Sequence, residues 1–419
     1  MASVPTNMLR PDVALVGAPP DNIILELTSG VIRVVRRAEI YESDGVTPFA
    51  IDNWNARLVT GNVTVDRDRD ERRAIDILLE NSDGALKMNP LDGFWYDKVI
   101  KTFWGIRYYD SVAMEWRVWE TPLGEFMIDR IDEDRFPNAV KVTGRDFTKK
   151  CLISKLAYSL SFQSGLPVES IIKALAANCG ITKFALPVTG QNYTSDLVFT
   201  RGTERWKVMQ ELASTVGYEV YFRADGCLSM RLLPDPTTQP VSWSFNYGGG
   251  GSLVDYSRSS DDSRIYNHIM VTGAKVGGDM SAVPGEIPTD DENQTAEIVF
   301  AEVINTDPGS PTNVARIGDR VLPYESDLFT TQASAMEYAL TMLRIAALEE
   351  YTMSFKSLML PWLEPTDIVE IIEDEVSASE FVPSRFLLTN LSIPLGLGAM
   401  SGNARRVTIV GNRNTLDFQ

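Results

Sequence analysis

The stretch "RGTERWKVMQELASTVGYEVYFRADGCLSM", residues 201–230, reads as a helix, a stop and a hairpin. Trp206, Met209, Leu212, Ala213 and Val216 recur at helical spacing and share one face. Thr203 stands where it can cap the helix start, and Gly217 where a left-handed residue ends it. "YEVYF" then runs as a strand, Asp225–Gly226 turns, and "CLSMRLL" returns. No nucleophile, base or ligand set converges in this unit. Its apolar face predicts packing rather than chemistry, with Trp206 buried.

The preceding segment has a similar helical plan. In "LPVESIIKALAANCGI", Val168, Ile171, Ile172, Leu175 and Cys179 line one helical face. Pro167 sits near the first turn and Gly180 follows the end, the usual asymmetry of helix termini. Residues 151–250 are therefore expected to form a small α+β domain.

Outward from it, both flanks are β-rich. Residues 1–30 form an arm with proline and glycine and poor periodicity. From 31 to 150, segments such as "GVIRVVRRAEIYES", "RRAIDILLEN", "KVIKTFWGIRYYDS" and "NAVKVTGRDF" carry β-branched and aromatic residues between turns. This spacing predicts a sandwich or barrel. Residues 251–419 return to strands, with a polar excursion at 276–325 holding one strand, "AEIVFAEV", and a long helix near 331–349. Three β-branched strands stop at a glycine: "VKVTGRD" (140–146), "IMVTGAK" (269–275) and "VTIVGNR" (407–413). This echo fits a duplicated β-domain with the α+β domain between the copies. The expected fold is mainly β with α+β: two related β-barrel-like domains, 31–150 and 251–419, separated by 151–250.

Bulk composition narrows function. The chain has 419 residues, 44% of them apolar, and a formal charge of −18. That size allows two to four domains with real cores. Such acidity disfavours stable duplex-DNA binding, which needs cations that displace counterions, and docking on an anionic membrane. The N-terminus has no apolar signal core, and no window is long and apolar enough to span a membrane. Cys151, Cys179 and Cys227 lie far apart, form no CxxC, and predict neither a disulfide framework nor a zinc site. Cys179 and Cys227 are expected to be small buried hydrophobes.

Chemistry-bearing motifs are sparse. His268 is the single histidine, and no GxSxG-type nucleophile motif accompanies it. One histidine cannot build a histidine-rich metal site. In "DRDRDER" (66–72), Asp66, Asp68 and Asp70 alternate like the start of a calcium loop, but Glu71 replaces the turn glycine and Ile77 the bidentate acid. A salt-bridged strand end or an intersubunit contact is the expectation there. "GGGG" (248–251) lacks the Lys-Ser/Thr of a phosphate loop and reads as a linker. The neighbouring acids Asp261–Asp262, Asp290–Asp291 and Glu349–Glu350 would point to opposite faces of a strand, unlike a glycosidase pair across a cleft. Nine aromatics between Phe94 and Trp119 could form a sugar platform, but core and interface anchors are the favoured role. Hence no catalytic, cofactor-binding or metal residue is assigned, and the chain is read as not an enzyme.

Three stretches carry a family resemblance. "VTGNVTVDRDRDERRAIDILLENSDGAL", followed by "FWGIRYYD" and "PLGEFMIDRIDED", resembles the N-terminal domain of tail-tip minor tail proteins of long-tailed phages. "TERWKVMQELASTVGYEVYFRADGCLSM" with "SRSSDDSRIYNHIMVTG", and "SAMEYALTMLRIAALEEYTMSFKSLMLPWLEPTDIVEI", resemble baseplate hub proteins, whose relatives include the late control protein D group. The resemblance covers about 31–275 and 320–415. It implies a homotrimeric, pseudo-sixfold ring at the tail tip or baseplate of the virion, assembled from chains made in the host cytoplasm. The implied partners are a hexameric distal tail or tail tube protein, the C-terminus of the tape measure protein, and other tail-tip or receptor-binding proteins. DNA would pass through the lumen without stable binding, so lumen-facing residues are expected to be net acidic. The alternative readings are a tail-associated cell-wall or glycan hydrolase and a carbohydrate-binding receptor module.

Overall fold

The computed structural model describes residues 23, 33–49, 57–90, 93–110, 113–134, 138–233, 235–236, 238–246, 251–260, 265–276, 297–346, 351–372 and 384–407. The chain opens with six strands: β1 (Val34–Tyr41), β2 (Leu58–Asp66), β3 (Arg73–Glu80), β4 (Val99–Asp110), β5 (Glu115–Asp134) and β6 (Ala139–Arg145). Alternation sets their faces: in β3, Ile75, Ile77 and Leu79 are buried while Asp76 between them is exposed. Gly105 on β4 permits a close crossing, because a Cβ there would lie 2.1 Å from the Trp119 carbonyl oxygen of β5.

The middle segment alternates short strands with helices: α1 (Thr148–Ile153), β7 (Leu160–Phe162), α2 (Val168–Asn178), β8 (Phe184–Ala185), β9 (Leu197–Phe199), α3 (Arg205–Ser214), β10 (Tyr218–Phe222) and β11 (Leu228–Leu232). The opening stretch is thus helix α3 followed by the antiparallel pair β10–β11. Trp206, Met209, Leu212 and Ala213 are buried, as their spacing predicts, and Val216 packs half-buried beside them. Gly217 and Gly226 both take positive φ, 73° and 75°. Thr203 does not cap α3: its hydroxyl donates to the Thr200 carbonyl at 2.7 Å, and Glu204 occupies the cap position without a side-chain bond. Val168, Ile171, Ile172 and Leu175 of α2 join the same core, with Pro167 in the cap position of that helix.

The rest of the chain forms β12 (Val241–Asn246), β13 (Leu253–Ser260), β14 (His268–Val276), β15 (Glu297–Ile304), α4 (Val314–Ile317), β16 (Val321–Glu325), α5 (Gln332–Ala346), β17 (Tyr351–Ser357), β18 (Ile368–Ile372), β19 (Ser384–Pro394) and β20 (Met400–Val407). The excursion at 276–325 holds a second strand besides β15. β16 pairs parallel to β14, and its Pro323 is tolerated because β16 is an edge strand. Helix α5 packs on β14 and β15 over a core that includes Val271, Phe329, Tyr338 and Leu343. The echoing glycine strands occupy different places. β6 lies between β5 and β3, and β14 lies between β15 and β16 of a separate sheet. The third copy lies outside the described residues after Val407.

The two β-rich regions, apart in sequence, meet in space. One 12-stranded sheet runs β1-β4-β5-β6-β3-β2-β19-β20-β17-β13, with β12 and β18 joined to it through β19. Strand β19 makes the splice. Arg385–Leu387 pair with β18, Asn390–Pro394 pair with β2, and β20 runs along the opposite edge. A bulge between Leu388 and Asn390 separates the two pairings. One hydrophobic cluster accordingly contains Val63, Ile77, Trp104 and Phe126 from the first region with Phe355, Phe386 and Leu391 from the last.

Candidate functional site

A dense polar cluster grows from the turn between β2 and β3, residues 67–72. The Asp66 amide donates to the Arg72 carbonyl at 2.8 Å and closes the turn. The Arg67 amide donates to the carbonyl of Thr389, the bulge residue of β19, at 3.0 Å. The turn is therefore pinned to the splice strand and projects its arginines toward the middle unit.

There they meet Glu219 of β10. Arg231 of β11 is hydrogen-bonded to that carboxylate, Arg72 Nη1 stands 3.5 Å from it, and Arg67 Nε stands 3.7 Å away. Arg72 and Arg231 also donate to the Pro365 carbonyl, at 3.1 and 3.0 Å. Both guanidiniums lie 4.8 Å from the Tyr221 ring centroid. Beside them, Arg73 binds Glu364 and donates to the Leu123 carbonyl at 2.9 Å. Four parts of the chain thus converge: the β2–β3 turn, the β10–β11 hairpin, the 364–365 turn and β5.

The electrostatics follow from burial. Desolvation alone would raise the Glu219 carboxyl, but Arg231, Arg72 and Arg67 outweigh it and hold the group well below the usual carboxylate range. Burial beside the like charge of Arg231 lowers Arg72 to about 10. Arg231 is itself desolvated, yet Glu219 more than compensates and raises it. Nearby Asp146 accepts the amides of Arg73 and Thr148 at 2.9 and 3.0 Å, and burial pushes its carboxyl up to about 6.

The acids of "DRDRDER" do not converge. Asp66 accepts the Asp68 amide at 3.0 Å and lies 3.3 Å from Arg69. Asp68 lies 3.6 Å from Arg405, and Asp70 accepts the Gln210 amide at 2.9 Å. The motif is a salt-bridged strand end. Among the described residues, no group of three His, Cys, Asp or Glu is placed to hold a metal ion.

His268 is buried between two carboxylates. Its Nδ1 is 2.8 Å from Asp319 Oδ1 and its Nε2 is 2.8 Å from Glu302 Oε1, the second contact poorly aligned for a hydrogen bond. It ties β14 to β15 and to the turn before β16. The aromatics from 94 to 119 divide. Phe94 and Trp104 are core, while Trp119 packs edge-on to Trp362 at 6.0 Å. Tyr109 and Trp116 are exposed near the end of the β4–β5 hairpin, with the Arg33 guanidinium 4.3 Å from the Trp116 ring. Cys179 ends α2 half-buried with its Sγ 3.2 Å from buried Cys151, and Cys227 is half-buried as well. Gly248–Gly250 and the pairs Asp261–Asp262, Asp290–Asp291 and Glu349–Glu350 lie outside the described residues. No helix among the described residues is long and apolar enough to cross a membrane.

Sequence reading expected a salt-bridged strand end or an intersubunit contact at 66–72, and it missed Glu219, Arg231 and Glu364. For Glu219 and Arg231 the only local signal is a charged residue in an otherwise largely apolar strand, in "YEVYF" and "CLSMRLL"; Glu364 stands in the turn "WLEPTD" and has none.

No family model matches the chain, and no curated protein matches it. Solved structures do. The tail protein from Neisseria meningitidis MC58 superposes with a TM-score of 0.57 at 13% identity, over 89% of this chain and 97% of that one. The 43 kDa tail protein of prophage MuSo2 from Shewanella oneidensis gives 0.56 at 12%, over 90% and 98%. Prophage tail protein gp18 from Listeria monocytogenes EGD-e gives 0.51 at 10%, over 90% and 95%. The chain has the phage tail protein fold that its sequence resemblance implied.

Proposed function

We propose that the chain is a structural hub subunit at the tail tip or baseplate of a long-tailed phage. Three copies form a pseudo-sixfold ring that joins the tail tube to the tip and lets DNA pass. The observation that carries this reading is whole-length likeness: the three tail proteins are matched over 95% or more of their own chains. In this reading 31–150 and 251–419 supply the ring, and 151–250 packs beside it. Two features support a ring. The path of the large sheet ends at β1 on one side and β13 on the other, each with one strand partner among the described residues. Such edges can meet head to tail and close a cyclic assembly. The formal charge of −18 per chain, tripled in the ring, also suits a conduit that must not retain a polyanion. In this reading the hexameric tail tube or distal tail protein sits above the ring, and the tape measure C-terminus and receptor-binding proteins contact it.

The test is native mass spectrometry of the purified chain, with imaging of intact particles. A trimer that rings the axis below the tube is expected. A stable monomer that binds glycans, or turnover of purified cell wall that one acidic substitution abolishes, would replace this reading with the receptor module or the hydrolase.

A further inference from the structure

Three helices of the middle unit meet around a pair of sulfur atoms. Cys151 lies in α1, closed off from solvent, and Cys179 ends α2 half-buried. Their Sγ atoms stand 3.2 Å apart, although 28 positions separate the two residues in sequence. A disulfide is roughly 2 Å long, so the sulfurs need approach by only about 1 Å to bond.

The third helix holds the two ends together. Arg205 of α3 donates through Nη1 to the carbonyl and hydroxyl of Ser154, just past α1, at 2.5 and 2.7 Å. Through Nη2 it donates to the Asn178 side-chain carbonyl, in the last turn of α2, at 2.5 Å. One buried side chain thus ties together the ends of both cysteine-bearing helices. Folding has already met the entropy cost of bringing the two thiols together.

The two thiols are unlike. When both are protonated, Cys179 donates to the Ala176 carbonyl at 3.1 Å, which leaves Cys151 to donate to Cys179. That bond, with the Arg205 and Lys150 charges, outweighs burial and lowers the Cys179 thiol. The same bond and burial raise Cys151. Cys227 is a built-in contrast, since burial and then Asp225 push its thiol up to about 11. The thiolate is the reactive form, so Cys179, the more exposed of the pair, reacts first.

We propose that Cys151 and Cys179 are a modification site, forming an internal disulfide on exposure to an oxidant of the hydroperoxide class. The Cys179 thiolate attacks one peroxide oxygen and breaks the O–O bond, giving a sulfenic acid and, after proton uptake, water. The Cys151 sulfur then displaces hydroxide from the Cys179 sulfur, and its own proton leaves with that hydroxide as a second water. Two thiols lose two electrons, and the peroxide oxygens gain them. The new bond staples α1 to the end of α2 and restricts the unfolded chain. It forms only where surroundings are oxidising. In the proposed hub this places it after particle release; that timing rests on the hub reading, whereas the bond itself does not.

The experiment is a thiol count on the purified full chain, before and after hydrogen peroxide, by alkylation and peptide mapping after denaturation. It reads the same whatever the oligomer. The reduced chain should show three reactive thiols, and the oxidised chain only Cys227, with a Cys151–Cys179 crosslink inside one chain. Added dithiol should restore all three. Oxidised wild type should melt about 5 °C or more above the reduced chain. Cys151→Ala should trap Cys179 as a sulfenic acid that a selective reagent labels, and Cys179→Ser, at the half-buried position, should keep two thiols throughout. Three thiols persisting after peroxide would overturn the proposal. So would a crosslink through Cys227, or Cys179 oxidised to the sulfinic acid beside a free Cys151. A crosslinked chain that melts no higher than the reduced one would overturn the staple.

Discussion

Trp206 shows how one side chain sets the stability of the middle unit. Its ring stacks near Phe222 at 6.1 Å between centroids and is closed off from solvent. Trp206→Ala leaves a large void and should cost about 3–5 kcal/mol, read as a lowered denaturant midpoint with an unchanged slope. Two carboxyls, half-buried Glu219 and buried Asp146, make opposite pH statements. Glu219 is held below its ordinary range, so its stabilisation is present at neutral pH and drains away as pH falls through the acid range. Glu219→Gln leaves three guanidiniums without their carboxylate and should cost about 3–5 kcal/mol at pH 7, with a flatter acid limb. Asp146 is raised to about 6, so the fold favours its neutral acid. Its contribution is complete below about pH 4 and is lost as pH rises through about 6, a change of about 3 kcal/mol. Asp146→Asn cannot titrate. The variant's stability relative to wild type should therefore rise between pH 4 and 6 and level off above, and a constant difference across that window would refute the assignment.

At the scale of elements, local pattern and long-range pairing divide what could be read in advance. The α3–β10–β11 unit was legible because each signal lies within a few residues: an apolar helical face, a left-handed glycine, an Asp-Gly turn. Cap chemistry was less so, since the Thr203 hydroxyl has a nearer acceptor in the Thr200 carbonyl. Strand β16 was missed because "VLPYE" has a proline and buries little, features of an edge strand that imitate a loop. The site was half legible. Arginines among acids at 66–72 announce ion pairs, but Glu219 becomes a partner only once the hairpin folds against a turn about 150 residues earlier. Gly105 shows a further limit, because only the β4–β5 crossing reveals why glycine stands there. Gly105→Ala should destabilise by about 1–3 kcal/mol, since its methyl would meet the Trp119 carbonyl. Chemical denaturation measures this, and a neutral result would mean that the strands can part there freely.

Across the whole molecule, β19 decides whether the chain holds two β-domains or one mechanical body. Its bulge hands one edge from β18 to β2, so hydrogen bonds and core both cross between regions separated by more than 300 residues. Leu391 is fully buried at that seam, in a cluster shared with Ile77 and Trp104 on one side and Phe355 and Phe386 on the other. In the proposed hub role, which would carry load between a tube and a tip, such a splice is an advantage, because neither region can open alone without breaking the other's sheet. Leu391→Ala should therefore cost about 2–5 kcal/mol and act on both regions. Hydrogen exchange is the direct measurement. Amides of β2, β3 and β6 should lose protection in parallel with those of β17 and β20, while those of α2, in the middle unit's own core, change least. Loss confined to β17–β20 would show instead that the two regions open independently, and that the continuous sheet is a contact between separate domains.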